Sequence, residues 1–203
     1  MIGADPLLAL CSYLLGAVPA AHILTRAAGR DVLNFGDRNV GAVNAYYATG
    51  SVWVFLAVLL FDAGKAFVTT YFLGPVYGLI TVFGHIFSVF TFILARRIVS
   101  GAGTASTIGF ALAFDWRLVP LGLLFAVAYY LAMRPGGGFL DFFRVERGYT
   151  AGIALLLATA ASYALFFDVP FERKVLVYVL ALFVSLVYAY KLRQIYRNLG
   201  FTG

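Results

Sequence analysis

Long apolar runs separated by short polar joints dominate this chain, and that alternation admits few folds. Leu7–Thr25 contains no Lys, Arg, Asp or Glu. A helix needs about 20 mostly apolar residues to cross the hydrocarbon of a bilayer. Val52–Leu73 and Pro75–Leu94 meet that length, and Leu118–Met133, Thr150–Phe167 and Val175–Tyr190 approach it. Gly103–Phe114 is apolar but short and opens on glycine and hydroxyl residues. Hydrophobic residues make up 63% of the 203 positions and charged residues 12%. A water-soluble core of this length has no use for so much apolar surface. The expectation is an all-α, polytopic integral membrane protein: one transmembrane helical domain over residues 1–203, with about seven spans. Residues 1–25 lack a basic leader and a small-residue cleavage site, so the first run reads as a retained span rather than a signal peptide.

The cations sort by loop. With the N-terminus outside, the inner segments carry Arg26, Arg30, Arg38, Arg96, Arg97, Arg134, Arg144, Arg147, Lys191, Arg193 and Arg197. The outer segments carry Arg117, Arg173 and Lys174. Lys and Arg accumulate on the cytoplasmic side of membrane proteins, so eleven against three predicts N-out, C-in topology and an odd number of spans. The same bias accounts for the net charge of +6 without invoking nucleic acid as a partner. Membrane lipids are the expected surroundings, in the cell (plasma) membrane with the polar loops facing the cytoplasm. Pro135-Gly136-Gly137-Gly138 reads as a flexible inner loop, and Pro19 as a kink late in the first helix.

Three polar patches fall on that inner side, and together they predict one pocket between helix ends. The first is Gly36-Asp37-Arg38-Asn39-Val40-Gly41-Ala42-Val43-Asn44. Asn39 and Asn44 offer amides, Arg38 a cation, and Gly36 and Gly41 let main-chain N–H groups approach a ligand. The plainer reading is a tight loop capped by its own asparagines. The second patch runs from Arg96-Arg97 to Ser100-Gly101-Ala102-Gly103-Thr104. It opens a helix, and a helix N-terminus with flanking arginines attracts phosphate. Alternatively Arg96 and Arg97 anchor the topology, and Gly101 and Gly103 permit close packing. The third is Tyr190-Lys191-Leu192-Arg193-Gln194-Ile195-Tyr196-Arg197-Asn198, where Arg193 and Arg197 share a helix face. It reads equally as an interfacial anchor.

Asp62 and Lys65 lie three apart within a span and predict a structural ion pair, because charges there pair or line a cavity. His85 and His22 read as interhelical hydrogen bonders. The single Cys11 and two histidines lack metal-ligand spacing, so neither a metal site nor another cofactor is expected.

Several of these segments resemble the PlsY family, the bacterial acyl-phosphate:glycerol-3-phosphate acyltransferases. Tyr13-Leu14-Leu15-Gly16 with Pro19, and Gly36-x-x-Asn39-Val40-Gly41-Ala42-x-Asn44, are similar to its first motif. Asp62-x-x-Lys65 is similar to its Asp-x-x-Lys-Gly pair, Gly84-His85-Ile86-Phe87-x-Val89-Phe90 to the start of its second motif, and Tyr190-Lys191-x-Arg193 to the opening of its third. The family has seven spans with N-out, C-in topology. Family Gly-Ser-Gly-Asn stands here as Gly36-Asp37-Arg38-Asn39, and a later threonine as Val43. Gly-Gly-Lys-Gly stands as Ser100-Gly101-Ala102-Gly103, and Arg-His-Arg-Glu-Asn as Lys191-Leu192-Arg193-Gln194-Ile195. Residues 94–99 form an extra stretch.

The resemblance implies acyl transfer from acyl phosphate to glycerol-3-phosphate without a protein nucleophile. Asn39, Asn44 and Arg193 would be catalytic. Arg38, Gly41, Arg96, Arg97, Gly101, Gly103, Thr104 and Lys191 would bind the substrates. A second expectation belongs to another class: a catalytically silent paralogue serving as a structural or lipid-binding subunit beside other membrane proteins. A transporter ranks behind both, since Asp62, Lys65 and His85 are accounted for by the scaffold.

Overall fold

A computed structural model describes residues 5–133 and 145–198. The Pro135–Gly138 loop, Arg134 and Arg144 fall outside them, as do the side chains of Arg147, Arg197 and Asn198. The described elements are helical throughout. The chain forms two compact units, Met1–Trp116 and Arg117–Gly203.

In the first unit, α1 (Pro6–Ala17) is followed by α2 (Ala20–Ala27), a 3-10 turn at Val32–Asn34, and α3 (Ala42–Thr49). Then come α4 (Val52–Leu73), α5 (Pro75–Ile86), α6 (Val89–Ala95) and α7 (Thr104–Phe114). Asp5 caps α1 through the amides of Leu7 and Leu8, with Pro6 at the first helical position. Two apolar runs that read as single spans are each two helices. The first breaks at Val18–Pro19, where proline has no N–H to continue the ladder. The other breaks at Phe87–Ser88, without a proline.

A broken helix leaves carbonyls to be satisfied, which in an apolar setting is costly unless a side chain reaches them. Lys65 Nζ donates to the carbonyls of Gly16 at 2.8 Å and Val18 at 3.3 Å. Ser88 Oγ donates to the carbonyl of Ala17 at 2.5 Å, and Tyr13 Oη to that of Phe87 at 2.8 Å. The two breaks thus brace each other. Close backbone approach supports this: a Cβ on Gly84 would collide with the carbonyl of Tyr13, and one on Gly109 with that of Ala63. Ser106 Oγ donates to the carbonyl of Asp62, tying α7 to α4 at 3.0 Å.

The second unit holds α8 (Leu118–Met133), α9 (Val145–Phe166) and α10 (Phe171–Asn198). Tyr163 is fully buried in it, and the rings of Tyr149 and Tyr188 meet edge-on at 5.3 Å. Arg117 lies 4.7 Å from the ring of Phe167.

Among the described residues, five helical stretches are long and apolar enough to cross a membrane: Pro6–Ala27, Val52–Leu73, Pro75–Ala95, Tyr149–Phe166 and Phe171–Tyr196. Thr104–Phe114 and Leu118–Leu131 are apolar but shorter. Residues 42–44, read as the end of the Gly36–Asn44 loop, open helix α3.

Candidate functional site

The 31–44 segment is organised around side chains that satisfy its own backbone. Asp31 Oδ1 accepts the Leu33 amide at 3.0 Å and lies 3.2 Å from His22 Nδ1. Asp31 Oδ2 accepts the Asn34 amide side chain at 3.0 Å. Asp37 Oδ1 accepts the Asn39 amide at 3.0 Å, the local turn that Asp favours. Asp37, which stands where the related motif has serine, is therefore a turn former.

Asn44 sits at the centre. Its Nδ2 donates to the carbonyls of Phe35 and Asn39, both at 3.0 Å, and lies 3.4 Å from that of Val32. The side chain is buried, and its amide nitrogen is committed to the loop's main chain. Gly36 has φ +56°, and a Cβ there would press on Asn44 Oδ1. Gly36 is thus needed both for its left-handed backbone and for room beside the amide. Arg38 also takes a left-handed conformation, with φ 57°. Beneath the loop, Val32, Leu33 and Val40 pack with Ala21, Ala45 and Val58.

The second patch meets the first directly. The Val40 amide donates to the Ser100 carbonyl at 3.2 Å, and Arg97 Nη1 donates to the Arg38 carbonyl at 2.5 Å. Ser100 is anchored in turn: its amide donates to the Ile86 carbonyl at 2.8 Å, and its hydroxyl lies 2.9 Å from that of Thr91. Gly103, at φ +81°, sets the entry of α7, which begins at the exposed Thr104. Arg96, itself left-handed at φ 54°, ends α6 and lies 5.7 Å from the Phe92 ring.

Beneath this second loop lies a buried polar cluster. Lys65 Nζ is 2.8 Å from Asp62 Oδ1 and 3.0 Å from His85 Nδ1, and His85 Nδ1 is 3.4 Å from Asp62 Oδ1. The expected Asp62–Lys65 pair forms, and His85 joins it from another helix.

Of the predicted site residues, Arg38, Asn39, Gly41, Asn44, Arg96, Arg97, Gly101, Gly103 and Thr104 all belong to the first unit. Hydrogen bonds link the two loops that carry them. Lys191 and Arg193 belong to α10 in the second unit, Lys191 buried and Arg193 exposed. Sequence reasoning missed Asp31 and Thr91, and named Ser100 in the second patch without a partner. The Asp31-x-x-Asn34 spacing carries a local turn signal; the Thr91–Ser100 pair has none, since it depends on tertiary structure.

These features define a polytopic helical membrane protein with two glycine-containing loops laced together at the start of a helix, a setting suited to an anion. The sequence model of one family, "Glycerol-3-phosphate acyltransferase", matches residues 6–200, and the chain belongs to that family. It is 34% identical over 142 residues to glycerol-3-phosphate acyltransferase 5 of Dehalococcoides mccartyi, covering 64% of this chain and 58% of that one. It is 40% identical over 123 residues to the glycerol-3-phosphate acyltransferase of Paramagnetospirillum magneticum, covering 56% and 57%. The matched stretch thus spans somewhat over half the length of these relatives. The crystal structure of the integral membrane glycerol 3-phosphate acyltransferase PlsY (YgiH) in its glycerol 3-phosphate form shares the fold, with a TM-score of 0.68 and 22% identity over 95% of this chain and 90% of that one. The lysophosphatidic acid form gives a TM-score of 0.61 at 21% identity.

Proposed function

We propose that this protein is a glycerol-3-phosphate acyltransferase that takes its acyl group from an acyl phosphate. The hydroxyl of glycerol-3-phosphate attacks the acyl carbonyl. The carbon–oxygen bond to phosphate breaks, inorganic phosphate leaves with the hydroxyl proton, and lysophosphatidate is formed. The protein contributes position and charge rather than a covalent intermediate. The observation that carries this reading is the lacing of the two loops by Val40–Ser100 and Arg97–Arg38 at the opening of α7.

In this reading Asn39, Gly41, Gly101, Gly103 and Thr104 surround the phosphate of glycerol phosphate, with Arg38, Arg96 and Arg97 supplying positive charge. Asn44 acts by holding the 32–39 backbone in place. Arg193 and Lys191 serve the acyl phosphate. The single membrane domain, the seven spans, the N-out, C-in topology and the cytoplasmic placement of these loops in the plasma membrane belong to the same proposal.

The test is direct. Purified protein in detergent is given acyl phosphate and glycerol-3-phosphate, and lysophosphatidate is measured. The expected result is turnover that falls about 100-fold or more in Asn39→Ala, the size of effect seen when one preorganised donor is lost. No product from the wild-type chain, together with co-purification in fixed ratio with other membrane subunits, supports the silent paralogue instead.

A further inference from the structure

We propose that His85 is a positioning residue for the Ser100–Gly103 loop, and through that loop sets the affinity for the phosphate of glycerol phosphate. The proposal rests on the acyltransferase reading above and names a residue that the reaction itself does not call for.

Lys65 fixes the ring. An ammonium has three protons and no lone pair. Lys65 directs its short contacts to Asp62 Oδ1 at 2.8 Å, the Gly16 carbonyl at 2.8 Å and His85 Nδ1 at 3.0 Å. Nδ1 thus faces the Lys65–Asp62 pair, which holds that edge of the ring in place. The ring is 6% exposed, and its orientation is determined from the Nδ1 side.

The far edge of the ring supports the loop. A Cβ on Gly101 would stand 2.9 Å from Cδ2 and 3.1 Å from Cε1 of His85, and closer still to Nε2. The Gly101 backbone thus rests on the imidazole edge with no room for a methyl group. On either side the same loop is pinned to the residue after His85. The Ser100 amide donates to the Ile86 carbonyl at 2.8 Å, and a Cβ on Gly103 would meet Ile86 Cδ1 at 2.7 Å. His85 and Ile86 together form the floor on which Ser100, Gly101 and Gly103 lie. The height of that floor sets where the loop's backbone groups stand relative to a phosphate at the start of α7. Imidazole gives a flat, rigid edge at a fixed distance from Lys65, which an aliphatic side chain does not.

The experiment combines kinetics with amide hydrogen exchange on wild type, His85→Ala, His85→Gln, Gly101→Ala and the double variant His85→Ala/Gly101→Ala. His85→Gln keeps an acceptor for Lys65, so it serves where His85→Ala does not fold. Each His85 variant is expected to raise KM for glycerol phosphate about 10-fold while kcat stays within about 3-fold, the signature of lost substrate binding rather than lost chemistry. Gly101→Ala is expected to raise KM by a similar factor. The double variant is expected to be no worse than either single one, because the added methyl enters the space the ring vacated, and residues in contact couple in this way. Exchange at residues 99–103 is expected to quicken in the His85 variants while α10 is unchanged. Multiplicative KM effects in the double variant, a fall in kcat alone, or a uniform rise in exchange would each overturn the proposal. If the wild-type chain makes no lysophosphatidate, the acyltransferase reading fails, and the exchange pattern alone decides whether His85 positions the loop.

Discussion

The two units solve the same problem, an apolar chain with polar backbone, in different ways. In the second unit, α9 and α10 run unbroken for 22 and 28 residues, so their backbone groups are largely satisfied within each helix. In the first unit α4 is also unbroken, but the stretches Pro6–Ala27 and Pro75–Ala95 are interrupted at Val18–Pro19 and Phe87–Ser88, and side chains from other helices take up the freed carbonyls. The interruptions bring Lys65, Ser88, Tyr13 and Ser100 into service, and the glycine loops are built on the second break. The buried polar cluster and the two laced loops lie in the first unit, where helices give up some of their own hydrogen bonding.

The sharpest way to break this comparison is to remove a brace. Lys65→Met leaves Asp62 buried without its counter-ion and the Gly16 carbonyl without its donor. Removing one partner of a buried pair costs about 3–5 kcal/mol. Thermal unfolding in detergent is expected to show a large loss, substantially recovered in Asp62→Leu/Lys65→Met. Equal stability of Lys65→Met and wild type would mean that the first unit does not need its braces.

A smaller effect separates the packing of the units. Gly84 faces the backbone of α1, whereas Gly152 in α9 faces the Tyr188 ring. A backbone cannot yield and a ring can turn. Gly84→Ala is expected to cost about 1–3 kcal/mol, the usual size of overpacking, and Gly152→Ala less. The reverse order, measured by the same unfolding assay, would argue against the close α1–α5 approach as a fixed feature.

Asn44→Ala comes next in stability. It strands loop carbonyls and is expected to cost about 1–3 kcal/mol, together with lower acyltransferase activity. Asn44→Ala and Asn39→Ala should differ in kind: the first lowers both the unfolding midpoint and activity, the second activity with little change in midpoint. The smallest effect is expected at Gln194→Ala in α10, whose amide donates to the Tyr190 hydroxyl on the same helix at 2.8 Å. A change within about 0.5 kcal/mol is typical of such positions.

Much of this architecture was legible in the sequence, because apolar run length is a direct consequence of bilayer thickness. Pro19 announced the first break. Nothing local announced the break at Phe87–Ser88, which depends on Ser88 reaching the carbonyl of Ala17, far away in sequence. The start of helix α3 was read as the end of the Gly36–Asn44 loop because its eight residues are too few to show a period. In the site, the asparagines and glycines of residues 36–44 were legible as a built loop. Which way an amide faces was not: Asn44 turns inward to carbonyls, a choice made by the path of the chain between Val32 and Asn39. Asp62 and Lys65 were legible as a pair because they are one turn apart on one helix. That His85 completes the cluster follows from the packing of α5 against α4, which no spacing within the chain records.

The central claim is that residues 36–44 and 99–104 hold one phosphate together. Amide hydrogen exchange with and without saturating glycerol-3-phosphate tests it most directly. The account predicts that both segments slow on addition of the substrate and that neither responds to glycerol. Slowing of only one segment, or of neither while acyl transfer proceeds, would contradict it.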